Sequence, residues 1–279
     1  MSGKKMKKAK RRLRPGALLL FCLFCAVFLF SGFMLLSDII KNKAAADAYR
    51  QLRAEMESAA AQKEQTETPI PSLQKPSAEM QALFSIDFAA LQEINPEIVG
   101  WIKGAGANID YPILRAEDNS YYLDHMYNRE NNKSGAIFMD YRCSGDFSDK
   151  NTVIYGHHMK NGTMFGGLDR YRDQAFYEAN PTLLLATPEQ DYSIELICGT
   201  VENGDRQFFR LQFENDEAFF TYLDDLKKRS TFTSDVKIQA DDQIITLCTC
   251  SYERDNARYA VVGRLVPLGE TPAAGYVGI

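Results

Sequence analysis

The sequence predicts a mainly β domain with a few helices, built as a barrel or sandwich and carried behind a single apolar helix. Three observations predict it. Short runs rich in Val, Ile, Leu, Thr, Phe and Tyr recur from about residue 99 onward, separated by Gly, Asn, Asp or Pro. Ala17 to Leu36 is a twenty-residue stretch without a charge. Between the two, residues 42–85 pass from good helix formers into a Pro-bearing segment, the composition of a connection.

The N-terminal residues 1–16 hold eight Lys or Arg and no acid. At 1.5 Å per residue, residues 17–36 match a hydrocarbon core of about 30 Å and read as a transmembrane anchor. With the basic cluster before it and Asp38 after, the positive-inside rule puts the tail in the cytoplasm and everything after Lys41 outside. A cleaved signal peptide fits less well, because the apolar stretch exceeds a signal h-region and no small-x-small site follows it. Residues 37–85 read as a stalk and linker, helical over Ala44 to Gln65 and broken at Pro69 and Pro71. The chain's net charge is −5, so the 263 residues after the basic tail carry −13. A domain this acidic is a poor partner for nucleic acid, whose phosphates need clustered Lys and Arg.

The domain proper is expected over residues 86–279. It opens with a short helix, Ile86 to Ile94, ended by Asn95-Pro96. Strands are expected at Val99–Ile102, Ala136–Met139, Thr152–Tyr155, Thr182–Ala186, Tyr192–Val201, Gln243–Cys250 and Tyr259–Leu265. A second helix, Asn215 to Arg229, starts on Asn215, Asp216 and Glu217 and ends on Lys227, Lys228 and Arg229. It places Phe219, Tyr222, Leu223 and Leu226 on one stripe, which should pack on the sheet.

Of six cysteines, Cys22 and Cys25 lie in the apolar stretch, and the spacing of the other four matches no zinc signature, so no metal is expected. The strand ending in Cys248-Thr249-Cys250 alternates so that Ile244, Thr246, Cys248 and Cys250 share a face, and Cys250 stands last, before a polar turn. Taken alone, such cysteines are ordinary small core residues. The strand Thr152 to Tyr155 ends in Gly156 and delivers His157 and His158, and Gly before His is expected to permit a sharp exit. A thiol needs a base or cation beside it to supply thiolate, and a His at a neighbouring strand end is such a group. Arg258, eight residues after Cys250, opens the next strand and would return beside Cys250 through the 251–257 turn. An Arg there can donate to the substrate backbone or to an oxyanion, or be simply an exposed Arg on an edge turn.

Together these features resemble class B sortases, over roughly Phe88 to Val266. The resemblance rests on Thr246-Leu247-Cys248-Thr249-Cys250, on Tyr155-Gly156-His157-His158-Met159 followed by Gly162-Thr163-Met164-Phe165-Gly166, on Asn108-Ile109-Asp110-Tyr111-Pro112, and on the helix from Asn215. It implies a closed eight-stranded β-barrel with an N-terminal helical extension and that extra helix. It implies Cys250 as nucleophile, His157 as catalytic histidine and Arg258 as transition-state arginine, with Asn119, Leu123, Cys248 and Thr249 against the substrate. The implied reaction is transpeptidation without a cofactor. A sorting motif near the C-terminus of a secreted protein is cleaved after Thr, and the acyl group passes to an amine of a peptidoglycan precursor or a pilin lysine at a Gram-positive cell surface.

Two positions depart from the family pattern. Cys248 stands where a small hydroxyl residue is usual, and Tyr252 where some relatives have an acid that orients the histidine, leaving Glu253 and Asp255 as guesses. A disulfide between Cys248 and Cys250 would be strained at that spacing. The rival readings are a cysteine protease that hydrolyses the same acyl-enzyme and a non-catalytic anchored assembly domain.

Overall fold

The computed structural model describes residues 15–66, 86–203, 209–251 and 257–269. The basic tail up to Arg14, the Pro69–Pro71 linker and the turn bearing Tyr252, Glu253 and Asp255 lie outside the described residues. The first element is helix α1, Pro15–Thr66. Its Leu19–Met56 stretch is long and apolar enough, by length and composition, to cross a membrane. Large apolar side chains from Leu19 to Ile40 are exposed.

The chain divides into two compact units, Met1–Ala44 and Ala45–Ile279. The second unit therefore begins inside α1 and not at residue 86. Ala45, Tyr49 and Leu52, spaced i, i+4 and i+7, are 2%, 3% and 1% exposed and belong to the main core. Arg53 follows on the same helix, donating from its guanidinium to the Asp110 carbonyl at 3.0 Å. The expected stalk is thus, over these residues, a wall of the folded domain.

The barrel strands are β1 (Ile98–Gly104), β2 (Ile109–Leu114), β3 (Ile137–Met139), β4 (Asn151–Gly156), β5 (Thr182–Ala186), β6 (Tyr192–Asn203), β7 (Ile244–Ser251) and β8 (Ala257–Pro267). They close in the order β1-β2-β3-β4-β7-β8-β6-β5, so the eight-stranded barrel expected from the resemblance is present. Closure leaves no exposed sheet edge. β2 was not among the expected strands. Pro112 lies within it, yet the β2–β3 ladder starts only at Ile113, so the proline's missing N–H falls before that ladder begins.

The two expected helices form. Helix α2, Phe88–Ile94, is capped by Asp87, whose carboxylate accepts from the Ala90 amide at 3.1 Å. A one-turn helix α3, Gln174–Ala179, was not anticipated. Helix α4, Asp216–Lys228, begins on Asn215, whose side chain accepts from the Ala218 amide at 2.9 Å, and buries Phe219, Leu223 and Leu226. Those residues pack with Ile197, Cys198, Ile244 and Val262. Ile245, Leu247, Tyr259 and Val261 belong instead to the main core, so β7 and β8 are covered on both faces.

Candidate active site

The strand order decides where the candidate residues meet. β4 and β7 run parallel, so both end at the same rim of the barrel. β8 runs antiparallel to β7 and begins there. The last β4–β7 pair is Gly156 with Thr249, so His157, just past the end of β4, and Cys250, on β7, are the next residues at that rim. On the other side of β7, Cys250 is the direct cross-strand partner of Arg258, and Arg258 in turn pairs with Glu202 of β6. Residues nearly a hundred positions apart are thus gathered on three consecutive strands.

The two histidines take different surroundings. His157 Nε2 lies 2.5 Å from the Leu123 carbonyl. A carbonyl only accepts, so Nε2 carries the proton in this contact. His158 Nε2 lies 2.7 Å from Asp169 Oδ2, and Asp169 also accepts from Arg172 Nε at 3.2 Å. The Arg172 guanidinium sits 4.3 Å from the centroid of the Tyr259 ring on β8. His158 therefore ties the chain leaving β4 to a charged cluster, and His157 is the one at the rim.

Gly156 is needed for a different reason from the expected one. It is absent from the glycines with positive φ. A Cβ there would meet Ile137 Cδ1 at 2.5 Å and Phe165 Cδ2 at 2.8 Å, so the residue is small because the wall packs against it. Behind it, the fully buried Asp140 accepts from Arg142 Nε at 2.8 Å and from the Tyr155 hydroxyl at 3.0 Å, bracing the last turn of β4. Burial alone would raise the Asp140 pKa. The Arg142 bonds and the Tyr155 hydroxyl outweigh it and hold the carboxyl below its usual range.

Of the residues expected against the substrate, Leu123 reaches His157 through its carbonyl, and Asn119 lies four residues before it. Leu123 is 44% exposed at the end of the 3-10 turn Tyr121–Leu123, while its neighbour Tyr122 is fully buried. The exposed leucine is thus not a core residue, and its carbonyl is the group that holds His157. Asn119 Oδ1 accepts from the Tyr141 amide at 3.0 Å. Below this segment the buried Asn95 donates to the Tyr122 hydroxyl and the Tyr127 carbonyl, each at 2.8 Å. Sequence reading missed Asn95 as a support of this segment.

Cys248 and Thr249 stand differently from the expectation. Cys248 is 2% exposed, in a cluster with Val153, Phe209 and Ala260, and Thr249 is 1% exposed. Packing on both faces of β7 leaves neither a surface to offer a groove. The remaining domain thiols are also buried, and burial pushes Cys143 up to about 11 and Cys198 up to about 12.

Residues 105–266 match the family model of the sortase domain. The chain belongs to the sortase family. Sortase B of Listeria monocytogenes is 41% identical over 178 residues, covering 63% of this chain and 72% of that relative. Among solved structures, the Staphylococcus aureus sortase B–substrate complex aligns with a TM-score of 0.70 at 30% identity, over 82% of this chain and 99% of that one. A sortase B complexed with Gly3 aligns with a TM-score of 0.68 at 30% identity, over 81% and 99%. The relatives are class B, and sortases are cysteine transpeptidases, so this sortase is an enzyme of that class.

Proposed function

We propose that the enzyme is a membrane-anchored transpeptidase with the domain outside the cell, and that Cys250, His157 and Arg258 carry its chemistry. The observation that supports this most is the shared rim. His157 follows the β4–β7 ladder, Cys250 is the next residue across from it, and Arg258 is the cross-strand partner of Cys250.

The Cys250 thiolate attacks the carbonyl of a Thr in a sorting motif near the C-terminus of a secreted protein. The carbonyl π electrons move to oxygen, and Arg258 stabilises that oxyanion. On collapse the Thr C–N bond breaks, His157 gives its proton to the leaving nitrogen, and a thioester remains. An incoming amine, from a peptidoglycan cross-bridge precursor or a pilin lysine, gives its proton back to His157 as it attacks, and the thiolate departs. With Nε2 held on the Leu123 carbonyl, Nδ1 is the nitrogen that exchanges the proton. The exposed Leu123 and the adjoining Asn119 line the path of the peptide. For Leu123 the support is its carbonyl on His157, and for Asn119 it is the family resemblance. Cys248 and Thr249 act from beneath, as the packed strand that fixes Cys250.

The test is a library of sorting-type peptides incubated with the full chain, with and without an amine acceptor such as triglycine. An amide product that dominates over hydrolysis, and an acyl adduct mapped to Cys250 by mass spectrometry, are the expected results. Hydrolysis that ignores the acceptor would make the chain a protease. Unchanged cleavage by a folded Cys250→Ala variant would overturn the assignment of the nucleophile. Anchoring is read by fractionation: the chain should stay with membranes after alkaline carbonate washing, and lose them when residues 1–44 are removed.

A further inference from the structure

We infer that Tyr49, on helix α1, is a positioning residue for His157 and acts through the backbone of Gly135; the inference rests on the role proposed for His157. Tyr49 is 3% exposed, and its hydroxyl donates to the Gly135 carbonyl at 3.0 Å. Its ring is fixed on two sides, edge-on to Tyr111 with centroids 5.1 Å apart and tilted against Tyr127 at 5.0 Å. A hydroxyl on a ring so held cannot follow its acceptor if the acceptor moves. Burial also pushes the Tyr49 pKa far above the ordinary phenol value, so the group remains a donor throughout the working pH range.

Gly135 is where this contact reaches the rim. Its φ is +58°, a conformation that favours glycine. A Cβ there would lie 3.1 Å from His157 Cδ2, 2.8 Å from the Leu123 carbonyl oxygen and 2.5 Å from the Tyr122 carbonyl oxygen. The backbone at Gly135 is thus closed against the His157 ring and against the carbonyl that orients it. A buried hydrogen bond from the helix fixes one face of Gly135, and the other face sets the ring. Simple docking of the helix would not need this geometry. A second hydroxyl contact, Tyr127 to the Ala48 carbonyl at 3.4 Å, joins helix and barrel away from Gly135.

The experiment uses the full chain in detergent and a probe that needs no peptide. Alkylation of Cys250 by iodoacetamide is followed against pH by peptide mapping, together with the His157 ring proton and nitrogen resonances. Tyr49→Phe should slow alkylation at neutral pH about threefold to tenfold and shift or broaden the His157 Nε2–H signal, while Tyr127→Phe matches the wild type. If Tyr49→Phe lowers only the melting temperature and leaves both readouts on the wild-type curves, the residue is a packing group and the inference fails. If His157→Asn itself leaves the alkylation profile unchanged, the fault lies with the role of His157. Should Tyr49→Phe not fold, Gly135→Ala tests the second link, from Gly135 to the His157 ring, because its methyl meets that ring and the Leu123 carbonyl; wild-type readouts there overturn the inference.

Discussion

Cys250 and Arg258 stand directly opposite one another in the β7–β8 ladder, with Glu202 opposite Arg258 on its other side. Glu202 is 7% exposed and is held by Arg229 at the end of α4. The guanidinium proposed to stabilise the oxyanion therefore rises from a strand fixed on both flanks. Arg258→Ala should lower kcat/KM about 100- to 1,000-fold, the usual cost of one oxyanion donor. Arg258→Lys should recover little of it, since an ammonium lacks the planar fork. Steady-state kinetics on a cleaved peptide checks both, and a loss below threefold for the alanine variant would remove Arg258 from the mechanism.

Gly156 tests how finely His157 must be placed. Gly156→Ala sets a methyl against Ile137 and Phe165, and should cost about 1–3 kcal/mol of stability, the range for overpacking. A shift of the strand end by about 1 Å should lower kcat about 100-fold. Urea unfolding and turnover on the same preparation separate the two effects.

Leu52 asks whether α1 belongs to the domain. It is 1% exposed, so Leu52→Ala should destabilise by about 2–5 kcal/mol. The exposed neighbour Gln51→Ala should stay within about 0.5 kcal/mol. Equal midpoints for the two variants in urea would show that the helix contributes nothing to folding.

Asp191 gives a pH signature. Burial pushes its carboxyl up to about 6, above an unfolded value of about 3.9. The folded state then holds the proton more tightly, so this group stabilises most below pH 4. Its contribution falls as pH rises from about 4 to about 6 and stays flat beyond. Asp191→Asn should raise the melting temperature at pH 7 and flatten the slope between pH 4 and 6. A variant curve parallel to the wild type would refute it.

Much of this arrangement was legible in the residues. β7 and α4 announced themselves through apolar spacing, caps and turn residues. The strand-end positions of Cys250, His157 and Arg258 were legible too, but the roles proposed for them came from the family resemblance and not from spacing. β2 was hidden by Pro112, whose cost depends on which neighbour needs its N–H, a fact of register. The apolar spacing of Ala45, Tyr49 and Leu52 was visible, but a stalk and a docked helix share that composition until something is seen to cover them. Burial of Cys248 was illegible for a related reason. Alternation tells that two faces differ, and here α4 and the segment around Phe209 cover the face that would otherwise meet solvent. Contacts made by backbone carbonyls, such as Leu123 on His157, leave no trace in side-chain identity.

The burial of the other domain thiols carries a practical consequence. Cys143, Cys198 and Cys248 are at most 2% exposed, and two of them are kept in the thiol form well above neutral pH. A mild electrophile meeting the folded domain should consume one equivalent rapidly and the rest only as the barrel opens. A domain freed of the apolar stretch that bears Cys22 and Cys25 would then carry its own gauge. On the role proposed for Cys250, the fast equivalent counts working sites in a preparation, and the slow ones time the unfolding of the wall behind them.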